Sequence, residues 1–180
     1  MKTAILGAGR IAGTLAVTMQ ALPEVECYAV ASRSLKKAQD FAREHGFQKA
    51  YGSYEEMLAD EAVELVYIAT PHSHHYEHMK LCIEAGKHVL CEKAFTVTKE
   101  QAEEVFRLAG ERNVLVTEAI WTRYMPSRKI INELLAEGVI GEVKTLTANL
   151  SYTISGKERI IRPELAGGAL LDVGVYTLNF

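Results

Sequence analysis

The sequence predicts an α/β protein: a doubly wound parallel sheet followed by the start of an α+β segment. Three observations point there. Short β-rich runs alternate with longer runs of helical period. Several of the β-rich runs are apolar on consecutive residues, as parallel strands covered on both faces are. The first of them passes directly into a glycine turn that opens the first helix, and repeated β-α-β units with right-handed crossovers build such a sheet.

Taken in order, Thr3–Leu6, Cys27–Ala31, Leu65–Ala69, His88–Cys91 and Val114–Thr117 read as strands. Between them Ile11–Leu22, Leu35–His45, His75–Ala85 and Lys99–Arg112 read as helices; in the last, Ala102, Val105, Phe106 and Ala109 fall on one apolar stripe. Lys49–Tyr51 supplies a short third strand, and Ser53 caps a helix running through Leu58. Beyond Thr117 the pattern changes. Ser127–Glu137 is an amphipathic helix ended by Gly138 and Gly141, Glu142–Ser155 is a long β-like stretch, and Gly167-Gly168 opens an apolar helical run to Phe180. One strand and one helix cannot close a core, so residues 1–120 are expected as one domain and 121–180 as the opening of a second, whose remainder lies beyond this sequence.

Composition fits that picture and excludes others. In 180 residues, 48% are apolar and 24% charged, with 13 Gly and only 4 Pro, which rules out disordered and collagen-like chains. The net charge of -3 lacks the basic excess of a dedicated nucleic-acid binder. Cys27, Cys82 and Cys91 are odd in number and sit in apolar runs, which predicts reduced core thiols. The run after Met1-Lys2 meets glycine at Gly7, too soon for a signal peptide or a membrane span, so the expected location is the cytoplasm, with no membrane partner.

Gly7-Ala8-Gly9-Arg10-Ile11-Ala12 follows the first strand and opens the first helix, the setting in which a G-x-G-x-x-G/A pattern signals a dinucleotide. Gly7 permits the tight turn, Gly9 lets the backbone approach a pyrophosphate, and Ala12 allows close helix packing, with the helix N-terminus turned to the phosphates. At the end of the second strand, where a carboxylate would bind an NAD ribose, stands Ala31-Ser32-Arg33-Ser34. Arg33 and the two hydroxyls suit a 2′-phosphate, so NADP(H) is favoured, with NAD(H) possible.

Ligands of open parallel sheets bind beyond the carboxyl ends of the strands. Two loops there carry chemistry: Thr70-Pro71-His72-Ser73-His74-His75 and Glu92-Lys93-Ala94. His72, His74 and His78 lack a carboxylate or thiol at ligand spacing, and no metal is expected. In the last helical run Asp172 and Tyr176 fall on one face, a phenol and a carboxylate on a mainly apolar helix.

With these residues in order, the sequence resembles the Gfo/Idh/MocA oxidoreductase family, that of glucose–fructose oxidoreductase and inositol dehydrogenase. The matching elements are the Gly7–Ala12 turn, Ser32-Arg33, Tyr67-Ile68-Ala69-Thr70-Pro71 with His75, Gly86–Lys93, Glu118-Ala119, and Gly167–Tyr176. Glu118–Tyr124 followed by Pro126, with tyrosine at 176, is most similar to the dimeric dihydrodiol dehydrogenase branch, which is NADP-linked. Two positions depart from the family pattern: Ala94 stands for the usual proline and His72 for the common asparagine.

The resemblance implies a Rossmann nucleotide domain and then a substrate domain whose open sheet often forms the subunit interface of a homo-oligomer. It also implies hydride transfer between the nicotinamide and a carbonyl or secondary alcohol of a sugar, polyol or diol-like small molecule. Lys93 would lie near the nicotinamide, and Tyr176 would be the acid/base with Asp172 beside it. Gly7, Ala8, Gly9, Arg10, Ile11, Ser32, Arg33, Thr70, Pro71, His72, His75, Glu92 and Lys93 would contact the cofactor. A free tyrosine titrates near 10, so Lys93 is expected to help the phenolate form. The alternative is a non-catalytic dinucleotide sensor or regulatory protein, which needs only the glycine cradle.

Overall fold

The computed structural model describes residues 1–154 and 156–179. Six parallel strands, β1 (Lys2–Leu6), β2 (Glu26–Ala31), β3 (Lys49–Tyr51), β4 (Leu65–Ile68), β5 (His88–Cys91) and β6 (Val116–Glu118), form one sheet in the order β3-β2-β1-β4-β5-β6. The helices between them are α1 (Arg10–Gln20), α2 (Leu35–His45), α3 (Tyr54–Leu58), α4 (His75–Glu84) and α5 (Lys99–Arg112). The strand order reverses between β1 and β4, so the loops after these two strands flank the crevice where ligands of such sheets bind.

The two faces of the sheet are read from the period-two alternation of the strands. Ala4, Leu6, Ala29 and Ala31 enter one apolar layer with Val66, Ile68, Met79 and Val105. Ile5, Val30 and Tyr67 enter the other with Ala12, Ala16 and Phe41. Ile5 is wholly buried, and each such side chain contributes about 1.5–3 kcal/mol to burial.

The caps follow their chemistry. Ser34, Ser53 and Thr98 accept hydrogen bonds from the main-chain N–H of Lys37, Glu56 and Gln101, starting α2, α3 and α5. β6 begins two residues later than the sequence suggests. Val114 N–H closes onto Ala109 O after the left-handed Asn113, and Leu115 N–H donates to the His88 imidazole, so sheet pairing starts at Val116. Phe106 leaves the expected stripe of α5: it is 55% exposed and stacks on Phe95. Cys82 and Cys91 are buried and Cys27 is half-buried, so one expected core thiol reaches the surface; all three are free.

After β6 come a 3-10 turn, Trp121–Tyr124, and α6 (Pro126–Ala136), with Pro126 in its first turn. The expected strand over Glu142–Ser155 does not form among the described residues, and Ser155 itself lies outside them. Residues 142–154 have no strand alongside to take their N–H and C=O groups, and β-period alone does not hold an isolated strand. A short helix, α7 (Glu158–Ile161), and a 3-10 turn, Pro163–Leu165, then precede Gly167-Gly168. The expected helical run is a π-helical turn, Leu170–Gly174, continued by α8 (Val175–Leu178); Phe180 lies outside the described residues.

Candidate active site

The switch point is built by close approach. Gly7 has φ +106, and a Cβ there would sit 3.1 Å from Ala69 O and 3.2 Å from the Thr70 methyl group. Only glycine brings the loop after β1 so near the loop after β4. A Cβ on Gly9 would meet nothing within 4 Å, and Gly9 starts α1 without a side-chain cap. The space above Gly9 and the uncapped helix start make an anion cradle that fits a pyrophosphate. Ala8 and Ala12 are buried beside it, while Arg10 and Ile11 are exposed at its rim.

At the carboxyl end of β2, Ser32 is buried and its Oγ accepts from Ser34 N–H. Arg33 is exposed and makes no hydrogen bond or ion pair among the described residues. It leaves a guanidinium available to an anionic group.

The loop after β4 is held mostly by its own histidines. Thr70 Oγ1 lies 3.0 Å from His78 Nδ1, and Ser73 Oγ lies 2.9 Å from His74 Nδ1. His72 is buried, 3.3 Å from Ala166 O, and burial lowers its pKa. His75 is fully buried, its Nδ1 2.7 Å from Ala94 O and its Nε2 2.8 Å from Thr70 O. Both ring nitrogens of His75, a residue expected at the cofactor, face main-chain carbonyls. Pro71 starts the short turn His72–His74. Among the described residues, no group of three or more His, Cys, Asp or Glu is arranged to hold a metal ion.

The loop after β5 carries the reacting groups of the expected site. Glu92 accepts a hydrogen bond from the buried Tyr67 hydroxyl and, at 3.2 Å, from Lys93 N–H; burial still raises its carboxyl pKa. Glu118, at the end of β6, accepts from Phe95 N–H at 2.9 Å and ties down the far side of the loop. Lys93 Nζ donates to Asp172 Oδ1 at 3.2 Å and to the Asp172 main-chain carbonyl, and it sits 5.1 Å from the centre of the Tyr176 ring. The structure brings Lys93, Asp172 and Tyr176 together in one cluster, with the ammonium on the Asp172 carboxylate.

Three partners were missed. Arg159 Nη1 donates to Asp172 Oδ1 at 2.7 Å, Trp121 Nε1 donates to the Tyr176 hydroxyl at 3.1 Å, and Tyr67 holds Glu92. Trp121, the chain's one tryptophan, and Tyr67 lie inside motifs that carry the resemblance; nothing local in the sequence marks Arg159.

The charges of the cluster follow from these contacts. Burial works against ionisation of Asp172, yet Arg159 and Lys93 hold its carboxyl below the usual range. The Tyr176 phenol does not fall below its ordinary value, as the expected help from Lys93 would have it: burial raises it, against the Trp121 hydrogen bond. The ammonium's hydrogen bonds go to Asp172 rather than to the phenol oxygen. A protonated phenol beside a cation, at the mouth of a dinucleotide crevice, is equipped to donate a proton.

Known proteins share this arrangement of sequence and fold. Residues 1–120 match the family described as an oxidoreductase family with an NAD-binding Rossmann fold, GFO_IDH_MocA. The chain is 42% identical over 202 residues to the D-xylose 1-dehydrogenase (NADP(+)) of Hypocrea jecorina, covering 100% of this chain and 52% of that protein. It is 39% identical over 182 residues to the trans-1,2-dihydrobenzene-1,2-diol dehydrogenase of Sus scrofa, with 100% and 54% covered. A crystal structure of a 3-ketoreductase from Actinomadura kijaniata in complex with NADP and TDP-benzene superposes with a TM-score of 0.85 at 32% identity, over 98% of this chain and 55% of that one. The chain spans about half the length of the curated relatives it matches.

Proposed function

We propose that this chain, which belongs to the Gfo/Idh/MocA oxidoreductase family, serves NADP(H)-dependent oxidation and reduction of a secondary alcohol or carbonyl in a sugar, polyol or diol-like small molecule. The observation that carries the reading is the meeting of Lys93, Asp172 and Tyr176 beside the loops of the switch point. The relatives named above, an NADP(+)-linked xylose dehydrogenase and a dihydrodiol dehydrogenase, support the substrate class.

The Gly7–Ile11 turn would hold the pyrophosphate, Ser32 and Arg33 the 2′-phosphate, and Thr70, Pro71, His72, Glu92 and Lys93 the nicotinamide end. When bound, the cofactor supplies or accepts the hydride. In reduction, the Tyr176 hydroxyl gives its proton to the oxygen on which negative charge develops, and Lys93 stabilises the phenolate left behind. In oxidation the phenolate takes the alcohol proton. Trp121 and Lys93 bracket the phenol, and Asp172 fixes the ammonium.

The reading extends to residues 121–180 as the opening of a substrate domain, since the family match ends at residue 120. The family resemblance supports a homo-oligomer formed through that domain's sheet in the full-length protein. Three unpaired cysteines fit a cytoplasmic location; no helix among the described residues is long and apolar enough to cross a membrane.

The test is to follow NADPH absorbance in the full-length protein against sugars, polyols, diols and α-dicarbonyls. Turnover with at least one class is expected. Tight NADPH uptake with no turnover across the panel would favour a dinucleotide sensor, and no uptake at millimolar concentration would remove the redox reading.

A further inference from the structure

Asp172 is shared by two cations. Its Oδ1 accepts from Arg159 at 2.7 Å and from Lys93 at 3.2 Å, and the side chain is only 6% exposed. A lone Lys93–Asp172 pair would be neutral, and its effect on neighbouring atoms would fall to that of a dipole. Two cations on one carboxylate leave a unit of positive charge over, and the shorter contact belongs to Arg159.

Arg159 is held in place by the backbone. Gly168 N–H donates to Ile160 O at 2.7 Å and Gly167 N–H to Arg162 O at 3.2 Å. A Cβ on Gly167 would lie 2.5 Å from Ile160 O, so α7 packs against the start of the π-helical turn only with glycine there.

We propose that Arg159 is a positioning residue for proton transfer: by engaging the Asp172 carboxylate, it leaves the charge of Lys93 uncancelled at the Tyr176 phenol. This rests on the reading of Tyr176 as the group that gives and takes the proton. The other titratable groups facing the phenol or its cation are Glu92, Tyr67, Tyr152 and His72. His72 is held neutral by burial, and burial, with Glu92 beside it, raises the Tyr67 phenol so that it stays protonated at neutral pH. If Glu92 ionises, it offsets one cation, and Arg159 then keeps the whole cluster from becoming negative.

The experiment follows the phenol directly, by NMR of protein labelled with 13C at the tyrosine ζ carbon, with the Tyr176 signal identified through its loss in Tyr176→Phe. Arg159→Gln is expected to raise the Tyr176 pKa by about one unit, the lower end of the effect of a nearby charge. Arg159→Lys is expected to restore most of the difference. Asp172→Asn, which removes the anion, shifts the phenol the other way, and it serves as the deciding variant if Arg159→Gln does not fold. An unmoved Tyr176 titration in folded Arg159→Gln, or in Asp172→Asn, overturns the proposal. In the full-length enzyme the pH profile of alcohol oxidation should move with the phenol while NADPH affinity stays. Absence of any turnover in the unaltered enzyme would sink the functional reading, whereas the NMR titration judges Arg159 independently of it.

Discussion

The Lys93 ammonium reaches Asp172 across 79 residues of sequence and in doing so comes to 5.1 Å from the centre of the Tyr176 ring. The loop after strand β5 delivers the lysine, the π-helical turn Leu170–Gly174 delivers Asp172, and α8 delivers Tyr176. Each is an ordinary residue by itself; the contact makes them a candidate proton-transfer unit.

Tyr176→Phe removes the proton and keeps the ring. Turnover in the full-length enzyme is expected to fall about 10²-fold or more, the usual scale of general acid/base catalysis, with NADPH affinity nearly unchanged. Because burial raises the phenol pKa, the acid form dominates at neutral pH. Carbonyl reduction should then stay flat through neutrality, and alcohol oxidation should rise with pH. Steady-state rates in both directions check this, and undiminished turnover in the variant removes Tyr176 from the mechanism.

Arg33→Ala tests the cofactor assignment. The exposed guanidinium makes no hydrogen bond or ion pair among the described residues, so its loss should leave the fold intact. A charged hydrogen bond contributes about 1.5–3 kcal/mol, so the preference for NADPH over NADH should fall about tenfold or more. Dissociation constants for both nucleotides measure it, and NADH affinity should hardly change. A preserved preference would refute the 2′-phosphate role.

The sheet was legible because parallel strands buried on both faces leave unbroken apolar runs, and because Ser34, Ser53 and Thr98 mark helix starts by local hydrogen bonds. Lys93, Asp172 and Tyr176 were legible because each sits in a motif at a strand end or on a helix face. Arg159 was not, since its role exists only through a contact that packing creates. The surroundings of His75 were not legible for a related reason. A histidine beside a ligand loop reads as a contact, but its burial against two carbonyls is a tertiary fact. The β-like 142–154 stretch misled because period two describes side chains and not the presence of a neighbouring strand.

Asp60 gathers the edge of the sheet. Its carboxylate accepts from Lys49 at 2.6 Å, from the Tyr51 and Tyr28 hydroxyls at 2.6 and 3.0 Å, and from Ala62 N–H at 3.0 Å. It thereby joins β2, β3 and the turn before β4. Asp60→Ala should lower the unfolding free energy by about 2–3 kcal/mol, since it leaves partly buried donors without their acceptor. The hydrogen bond from Lys49, then that from Tyr51, holds the carboxyl well below the usual carboxylate range. A depressed folded-state pKa makes this contribution complete above about pH 4 and progressively lost below it. Urea unfolding at neutral and acid pH should show the gap between unaltered protein and variant closing in acid. A gap that persists undiminished in acid would contradict the assignment.

His75 poses a choice that pH resolves. A neutral imidazole has one N–H and can donate to only one of the Ala94 and Thr70 carbonyls; the imidazolium could donate to both. Burial opposes the charge and pushes the pKa down to about 4, the carbonyls notwithstanding, so the folded protein keeps the ring neutral near neutrality. The unfolded chain, titrating near 6.5, binds the proton first. The sign follows: the His75 contribution to stability is complete above about pH 6.5 and declines as the pH falls towards 4. His78, also pushed to about 4 by burial, adds a slope of the same sign. His75→Ala should therefore cost about 2–4 kcal/mol near neutrality, from the lost hydrogen bond and the cavity. It should also flatten, without abolishing, the fall in urea midpoint between about pH 7 and pH 5. An equally steep fall in the variant would mean that the ring takes up its proton equally in the folded and the unfolded chain, and a steeper fall that the buried ring is charged and donates to both carbonyls.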